Sequence, residues 1–284
     1  MKIIPLAFDS MGTRSMATKV VCDDLSLMVD PSASLAPKRY GLPPSEVEWK
    51  RLNDHLKLIG EEAKTSQVLV VTHYHYDHHN PDMPDIFRGK RAMVKDPKEN
   101  INKSQKQRAA RFLELIEPEK IGYCDSSIYE MEGVKVEFSR AVPHGSNSRL
   151  GYVVEVLVEE GDERVVFTSD VEGPVLAEQV DFIVRNDPHT VIADGPMTYM
   201  LGYRYSGDSL RSAISNLKSI IEGESLRDLV LDHHFMRDLK YKERPGIPEL
   251  YDLAHETGIR LTSAAELAGK KVEMLEALRR IANN

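Results

Sequence analysis

The stretch Val68-Leu69-Val70-Val71-Thr72-His73-Tyr74-His75-Tyr76-Asp77-His78-His79 sets four histidines and a carboxylate directly behind an apolar run. A run this short and this rich in valine reads as a strand buried on both faces. Asn80-Pro81 follows, and Pro81 resists continuation of a strand or a helix. A buried strand ending in imidazoles and a carboxylate delivers metal ligands to the rim of a sheet. Residues i and i+2 of a strand end point to the same side, so His73 and His75 can share one ion. Asp77 and His78 lie past the strand, where the chain turns, and can face a second ion nearby. Neutral imidazole is the commonest protein ligand for zinc and also serves iron and nickel.

Outward from this stretch the chain alternates hairpins, helices and strands. Towards the N-terminus, residues 3 to 8 form a first strand, and 19–22 and 25–29 pair as a hairpin through Asp23-Asp24. Ser45 caps a helix that carries Val47, Leu52, Leu56, Ile59 and Ala63 on one face. Towards the C-terminus, residues 85–117 read as an insertion or lid beside the histidines. Arg88, Lys90, Arg91, Lys95, Lys98, Lys103, Lys106, Arg108 and Arg111 face only Asp96 and Glu99 between 88 and 111. Such local positive charge can attract an anion; the plainer reading is a solvated helix from Lys103 to Leu115, with Phe112 and Leu115 turned inward. Strands are predicted at 127–131, 134–138, 151–158 and 163–168, with turns at Glu132-Gly133 and Glu160-Gly161-Asp162. The last hundred residues predict a helix at 174–183, a strand at 190–193, a helix at 206–221 and a strand at 229–231. Two helices then close the chain, the last opening on the capping-box pattern Ser263-Ala264-Ala265-Glu266. No linker separates two cores, so residues 1–284 read as one domain.

Composition limits the alternatives. With 284 residues, 41% hydrophobic and 29% charged, the chain can bury a full core as an ordinary globular protein. Its formal net charge of -8 argues against a surface built throughout to hold nucleic acid. Cys22 and Cys124 are its only cysteines, so a disulfide framework and a cysteine zinc site are excluded. Cys22 reads as a buried strand residue. Pro5 and Asp9 interrupt the N-terminal segment too early for a signal peptide. No apolar run approaches the roughly 20 residues of a membrane helix. A cytoplasmic protein without a membrane partner is the expectation, and a homo-oligomer is compatible with it.

Three further ligand candidates stand in short loops or at the ends of apolar strands: His144, Asp170 and the pair His233-His234. The order His-x-His-x-Asp-His, then a lone His, an Asp and a final His resembles the metallo-β-lactamase superfamily of metallohydrolases, and the resemblance runs over almost the whole chain. It looks closest to an archaeal group within that superfamily, whose membership points to no substrate. The resemblance implies an α/β fold, a four-layer αββα sandwich of two mixed sheets flanked by helices. It also implies two divalent metal ions, zinc first with iron or manganese as alternatives. His73, His75 and His144 look like the first-metal triad. Asp77, His78 and one of His233 or His234 look like the second set, and Asp170 looks like the bridging carboxylate. His233 directly follows an apolar strand with a basic residue, Arg237, four positions later; His234 is the alternative. His55, His189 and His255 read as surface or helix-cap residues, and His79 as a surface residue or one behind the ligands.

The implied reaction is hydrolysis of an ester, lactone, thioester or phosphoester by a metal-bridged hydroxide, with Asp77 as the catalytic group that orients it. The expected partner is a small-molecule substrate, with an anionic one favoured by the basic stretch. Arg204, between Tyr203 and Tyr205 on the predicted rim, can hold a carboxylate or phosphate. Asp9 and Arg14 are weaker candidates. A nuclease of the same superfamily is the first alternative. A non-hydrolytic iron-dependent oxidoreductase is the second, although His75 stands where the diiron flavoprotein branch usually has an acid.

Overall fold

The run Val68–Val71 is a strand buried on both faces, and its alternation sorts the molecule into layers. In the computed structural model, which describes residues 1–282, Val68 and Val70 pack into one core while Leu69 and Val71 pack into another. The first sheet has six strands in chain order: β1 (Lys2–Phe8), β2 (Met16–Val21), β3 (Ser26–Val29), β4 (Val68–Val71), β5 (Arg91–Val94) and β6 (Lys120–Tyr123). The first three are antiparallel, and β3 to β6 run parallel. The parallel steps need crossovers, supplied by α1 (Glu46–Ala63) between β3 and β4 and α2 (Lys103–Leu115) between β5 and β6.

The second half repeats this plan. After β7 (Ile128–Met131) and β8 (Val134–Phe138), the short strands β9 (Val142–Pro143) and β10 (Tyr152–Val153) pair only with each other. Then come β11 (Val156–Glu160), β12 (Glu163–Phe167), α3 (Ala177–Asn186), β13 (Thr190–Ala193), α4 (Gly207–Ile221), β14 (Asp228–Leu231), α5 (Ile247–Glu256), β15 (Arg260–Thr262), α6 (Ala264–Leu267) and α7 (Leu275–Ala282). The second sheet has the order β15-β14-β13-β12-β11-β8-β7 and is parallel from β12 to β15. Three apolar cores separate four layers. Phe8, Val20, Leu27, Val136, Val156 and Phe167 fill the space between the sheets. Leu52, Ile59, Ala109 and Phe112 bind α1 and α2 to the first sheet. Phe182, Leu217, Ile220 and Leu250 bind α3, α4 and α5 to the second. The expected αββα sandwich of two mixed sheets is therefore the observed one.

Several local expectations change. Residues 85–117 are not an inserted lid: they supply β5, an interior strand between β4 and β6, and α2, which buries Ala109 and Phe112. Leu115 and Val47 face outward rather than inward. The predicted strand 151–158 breaks at Val154-Glu155, where Ser139 Oγ accepts from Glu155 N. The helix predicted at 174–183 starts later, at Ala177. Ser263 does form a capping box, but α6 lasts one turn and a further helix, α7, follows. Among the described residues no helix is long and apolar enough to cross a membrane.

His55 is another correction. It is buried in α1, with Nδ1 2.7 Å from Thr13 Oγ1, rather than on the surface. Burial, then Arg51, pushes its pKa down to about 4. The unfolded chain, with an ordinary imidazole, takes up this proton first, so stability is lost as pH falls from about 6.5 towards 4. His55→Gln is expected to remove about 2 kcal/mol of the stability difference between pH 7 and pH 5. Urea unfolding at the two pH values measures it; equal slopes in variant and parent would refute the assignment.

Candidate metal centre

The carboxyl ends of β1, β3, β4, β12, β13 and β14 meet at one rim, where crevices outside parallel strands collect ligands. Asp9, Asp30, Thr72 to His79, Asp170, Asp194 and Asp232 to His234 follow those strand ends, and His144 follows β9. Their side chains converge. The ligand atoms of His73, His75, His144 and Asp170 lie within 4.8 Å of one another, and so do those of Asp77, His78 and His233. A third such group is Asp170, His233 and His234. Asp170 belongs to the first and third groups and approaches the second: its oxygens lie 3.1 Å from His78 Nε2, 3.2 Å from His144 Nε2, 3.4 Å from His233 Nε2 and 3.6 Å from His73 Nε2. His234 Nε2 is 3.9 Å away.

Behind these groups stands a layer of carboxylates and hydroxyls. Asp30 accepts from Thr72 N and Thr72 Oγ1, both at 2.8 Å, and its Oδ2 lies 2.8 Å from His78 Nδ1. Ser169 Oγ lies 3.2 Å from His73 Nδ1. Asp9 Oδ1 accepts from Arg237 Nε, while its Oδ2 sits 2.8 Å from His233 Nδ1. Arg237 Nη2 in turn reaches within 2.9 Å of His233 Nε2. Asp194 Oδ2 accepts from Glu172 N and lies 2.7 Å from His234 Nδ1. Asp232 fixes the end of β14 by accepting from Ser10 N, His233 N and Ala264 N. Each partner on the far ring nitrogen sets how the near one points. The backbone is held to the same end: Asp30, Ser169, Glu172 and His233 all adopt positive φ, a conformation that side chains other than glycine rarely take.

Electrostatics separates the histidines. Burial drives His73 and His234 well below the ordinary imidazole value, and His75 down to about 3. Burial also lowers His78, but the Asp170 and Asp30 carboxylates outweigh it and hold this ring well above its usual value. For His233, burial and Arg237 lower the value, yet Asp170 and Asp9 raise it to about 9. Burial alone would raise Asp170; His78, His233 and His234 instead hold it well below the carboxylate range. Glu172, on the cavity wall, is pushed up to about 7 by burial, with His144 opposing and Asp170 adding.

A divalent cation fits this set. His73 Nε2, His78 Nε2, His144 Nε2 and Asp170 Oδ1 are buried and make no hydrogen bond. Polar atoms buried without a partner are costly, and a cation shared among neutral nitrogens and a carboxylate removes that cost.

Of the other residues singled out from sequence, Tyr203 and Arg204 line the cavity of about 1510 Å³ over the site. Tyr205 does not: it is buried, and its hydroxyl donates to Glu172 O. His79 lies behind the histidine cluster, with Nδ1 on His75 O and its ring against Tyr74, Tyr76 and Phe112. His189 is half-buried and His255 exposed. Sequence reading passed over Asp30, Asp232 and Glu172. The missing signal was positional: Asp9, Asp30, Asp194 and Asp232 are each the first polar residue after an apolar strand, as Thr72 is before the histidines.

The same architecture occurs in solved structures. The chain aligns with the metallo-β-lactamase fold protein YhfI from Bacillus subtilis over 92% of its length and 94% of that chain, with a TM-score of 0.51 and 12% identity. An isothiocyanate hydrolase from Delia radicum gut bacteria gives 0.52 at 15% identity, covering 92% of this chain and 96% of its own. Zinc-bound PqqB from Methylobacterium extorquens gives 0.50 at 10% identity, with 93% and 98% covered. The protein thus has the metallo-β-lactamase fold, and its buried histidine and aspartate cluster fits a divalent metal. No family model matches the chain. A UPF0282 protein of Korarchaeum cryptofilum is 48% identical over 282 residues, covering 99% of this chain and 93% of that protein. Another, from Metallosphaera sedula, is 43% identical over 286 residues, with 99% and 92% covered. The chain belongs to the UPF0282 family.

Proposed function

We propose that this protein is a hydrolase that works with two divalent cations, zinc first. His73, His75 and His144 would hold one, Asp77, His78 and His233 the other, and Asp170 both. The observation that carries this reading is the position of Asp170, whose oxygens lie 3.1 to 3.6 Å from Nε2 of His73, His78, His144 and His233, the first three of them buried without a hydrogen bond. His233 is the member of the final pair grouped with Asp77 and His78, which leaves His234 on the cavity wall. Such cations supply Lewis acidity, polarising a carbonyl or phosphoryl oxygen and lowering the pKa of water from 15.7 to about 7. The chain does the rest. Asp77, partly open to the cavity, accepts a hydrogen bond from the attacking water and aims it. Asp30, Asp9 and Asp194 hold the far nitrogens of His78, His233 and His234, so that the rings keep their aim without substrate. The cavity walls position an ester, lactone, thioester or phosphoester over Asp170.

Metal analysis of the purified chain is expected to find about two ions, with hydrolysis of 4-nitrophenyl acetate or bis(4-nitrophenyl) phosphate abolished by chelation and restored by zinc, manganese or iron. Removing the metal is expected to lower Tm by about 5 °C or more, since a ligand at a hundred times its Kd stabilises by about 2.7 kcal/mol. Metal content well below one ion per chain, unrestored by any of the three metals, would sink the reading.

A further inference from the structure

Most of the arginines that form no ion pair stand around the cavity. Among the described residues, arginines generally pair with a carboxylate, as Arg51 does with Glu273, Arg164 with Asp187 and Arg244 with Asp238, and as Arg14 and Arg237 do on the cavity wall itself. Arg91, Arg108, Arg111, Arg149, Arg204 and Arg280 form no such pair, and Arg108, Arg111, Arg149 and Arg204 line the cavity. In a chain of net charge -8, this is a selective concentration of uncompensated positive charge.

It is also built into the fold. The basic stretch 88–111 does not act as a unit: Arg88 pairs with Asp85 and Glu117, Lys90 donates to Ser66 O, and Lys95 is buried on Asp125. Only its last two members reach the cavity. Arg108 lies over the Tyr76 ring, 4.8 Å from its centroid, and donates to Tyr74 O, so it borders the histidine loop itself. Arg111 is one turn further along α2 on the same face. The loop bearing Arg149 is tied to α2 by Asn102 Nδ2 to Arg149 O and by Gln105 Nε2 to Leu150 O, while Gln105 Oε1 accepts from Tyr74 N. Gly151 permits this contact, because a Cβ there would stand 2.6 Å from Gln105 Nε2. One buried glutamine thus locks the basic helix, the Arg149 loop and the metal-ligand loop together.

The α1 side of the cavity has the opposite character. Pro43, Pro44, Trp49, Leu52 and Leu56 line it, and Trp49 is half exposed. The volume exceeds the ceiling of about 1000 Å³ for pockets of drug-sized ligands, so both sides can be occupied at once.

We propose that the substrate is an amphipathic anion of small-molecule size. Its phosphate, sulfate or carboxylate group lies against Arg108, Arg111 and Arg149, and its apolar or aromatic part lies against Trp49, Leu52 and the prolines. This rests on the hydrolase reading for the bond that is broken, but the recognition is tested apart from it. The probe is 8-anilinonaphthalene-1-sulfonate, titrated by fluorescence into the full-length chain of measured metal content, with uncharged N-phenyl-1-naphthylamine beside it. Arg108→Gln/Arg111→Gln is expected to weaken the sulfonate about tenfold or more and the neutral probe less than about twofold, since ion-assisted hydrogen bonds serve only the first. Arg108→Lys/Arg111→Lys should recover part of the loss, and Trp49→Ala should weaken both probes. Unchanged sulfonate affinity in the glutamine variant, or equal loss of both probes, overturns the proposal. So does an equal loss in Lys103→Gln/Lys106→Gln, which would move anion binding to the outer face of α2 and favour a nucleic acid. A chain that holds no metal yet keeps arginine-dependent sulfonate binding overturns the hydrolase reading alone. A metal-loaded, active chain whose sulfonate binding ignores the arginines overturns this one alone.

Discussion

Asp170→Asn is expected to cost at least one metal ion per chain and to lower kcat/KM about 1000-fold. The side chain keeps its size, so packing around β12 is undisturbed and the change is one of charge. The carboxylate faces nitrogens of His73, His78, His144, His233 and His234 at 3.1 to 3.9 Å. An amide offers one acceptor in place of two anionic oxygens, and its NH₂ group would confront imidazole nitrogens that must keep their lone pairs for metal. Losing a partner behind a ligand typically costs 10- to 100-fold in affinity or activity, about the least that losing the shared ligand should cost. Losing one well-placed electrostatic stabiliser costs about 100- to 1000-fold in rate. Metal analysis and steady-state kinetics on one preparation decide the matter. A variant that keeps two ions and activity within tenfold of the parent would show that Asp170 is not shared.

What the sequence displayed, and what it hid, divides along one physical line. Local signals were legible: the apolar strand Val68–Val71, the cap at Ser45, the turn Glu132-Gly133, and polar ligand types following apolar strands. Hidden features depend on pairing across long sequence distances. Lys95 read as one more charge of the basic stretch 88–111 because its partner, Asp125, is 30 residues away and beyond the next helix. β5, which begins at Arg91 and runs into Lys95, therefore did not read as an interior strand. β6 is Lys-Ile-Gly-Tyr, an edge strand with little apolar burial to mark it. The same blindness affects the outer layer of the candidate metal centre, since nothing near Asp30 announces that it will meet His78.

Arg279→Met is expected to destabilise the protein by about 3–5 kcal/mol, the usual cost of leaving one member of a buried ion pair alone. Arg279 is fully buried in α7; its Nη2 donates to Glu48 Oε1 at 2.6 Å and its Nη1 to Ala36 O and Leu42 O. Glu48 is also the capping-box glutamate of α1, accepting from Ser45 N. Methionine fills much of the volume but leaves a carboxylate and two carbonyls without their donor. The loss should lower Tm by about 10 °C, and Glu48→Gln added to Arg279→Met should restore part of it by removing the stranded charge. One turn earlier on the same helix, Glu276 holds Arg14 through paired contacts of 2.6 and 2.7 Å and approaches Arg39 at 3.9 Å. Arg39 Nη2 donates to the carbonyl of Arg237, the residue whose guanidinium holds Asp9 and His233. Loosening α7 should therefore reach the metal centre through Arg14, Arg39 and Arg237. Arg279→Met should lose metal at a lower temperature than the parent, and the double variant should recover both properties together. If thermal unfolding falls but metal is retained up to the unfolding transition, α7 serves stability alone and does not position the ligands.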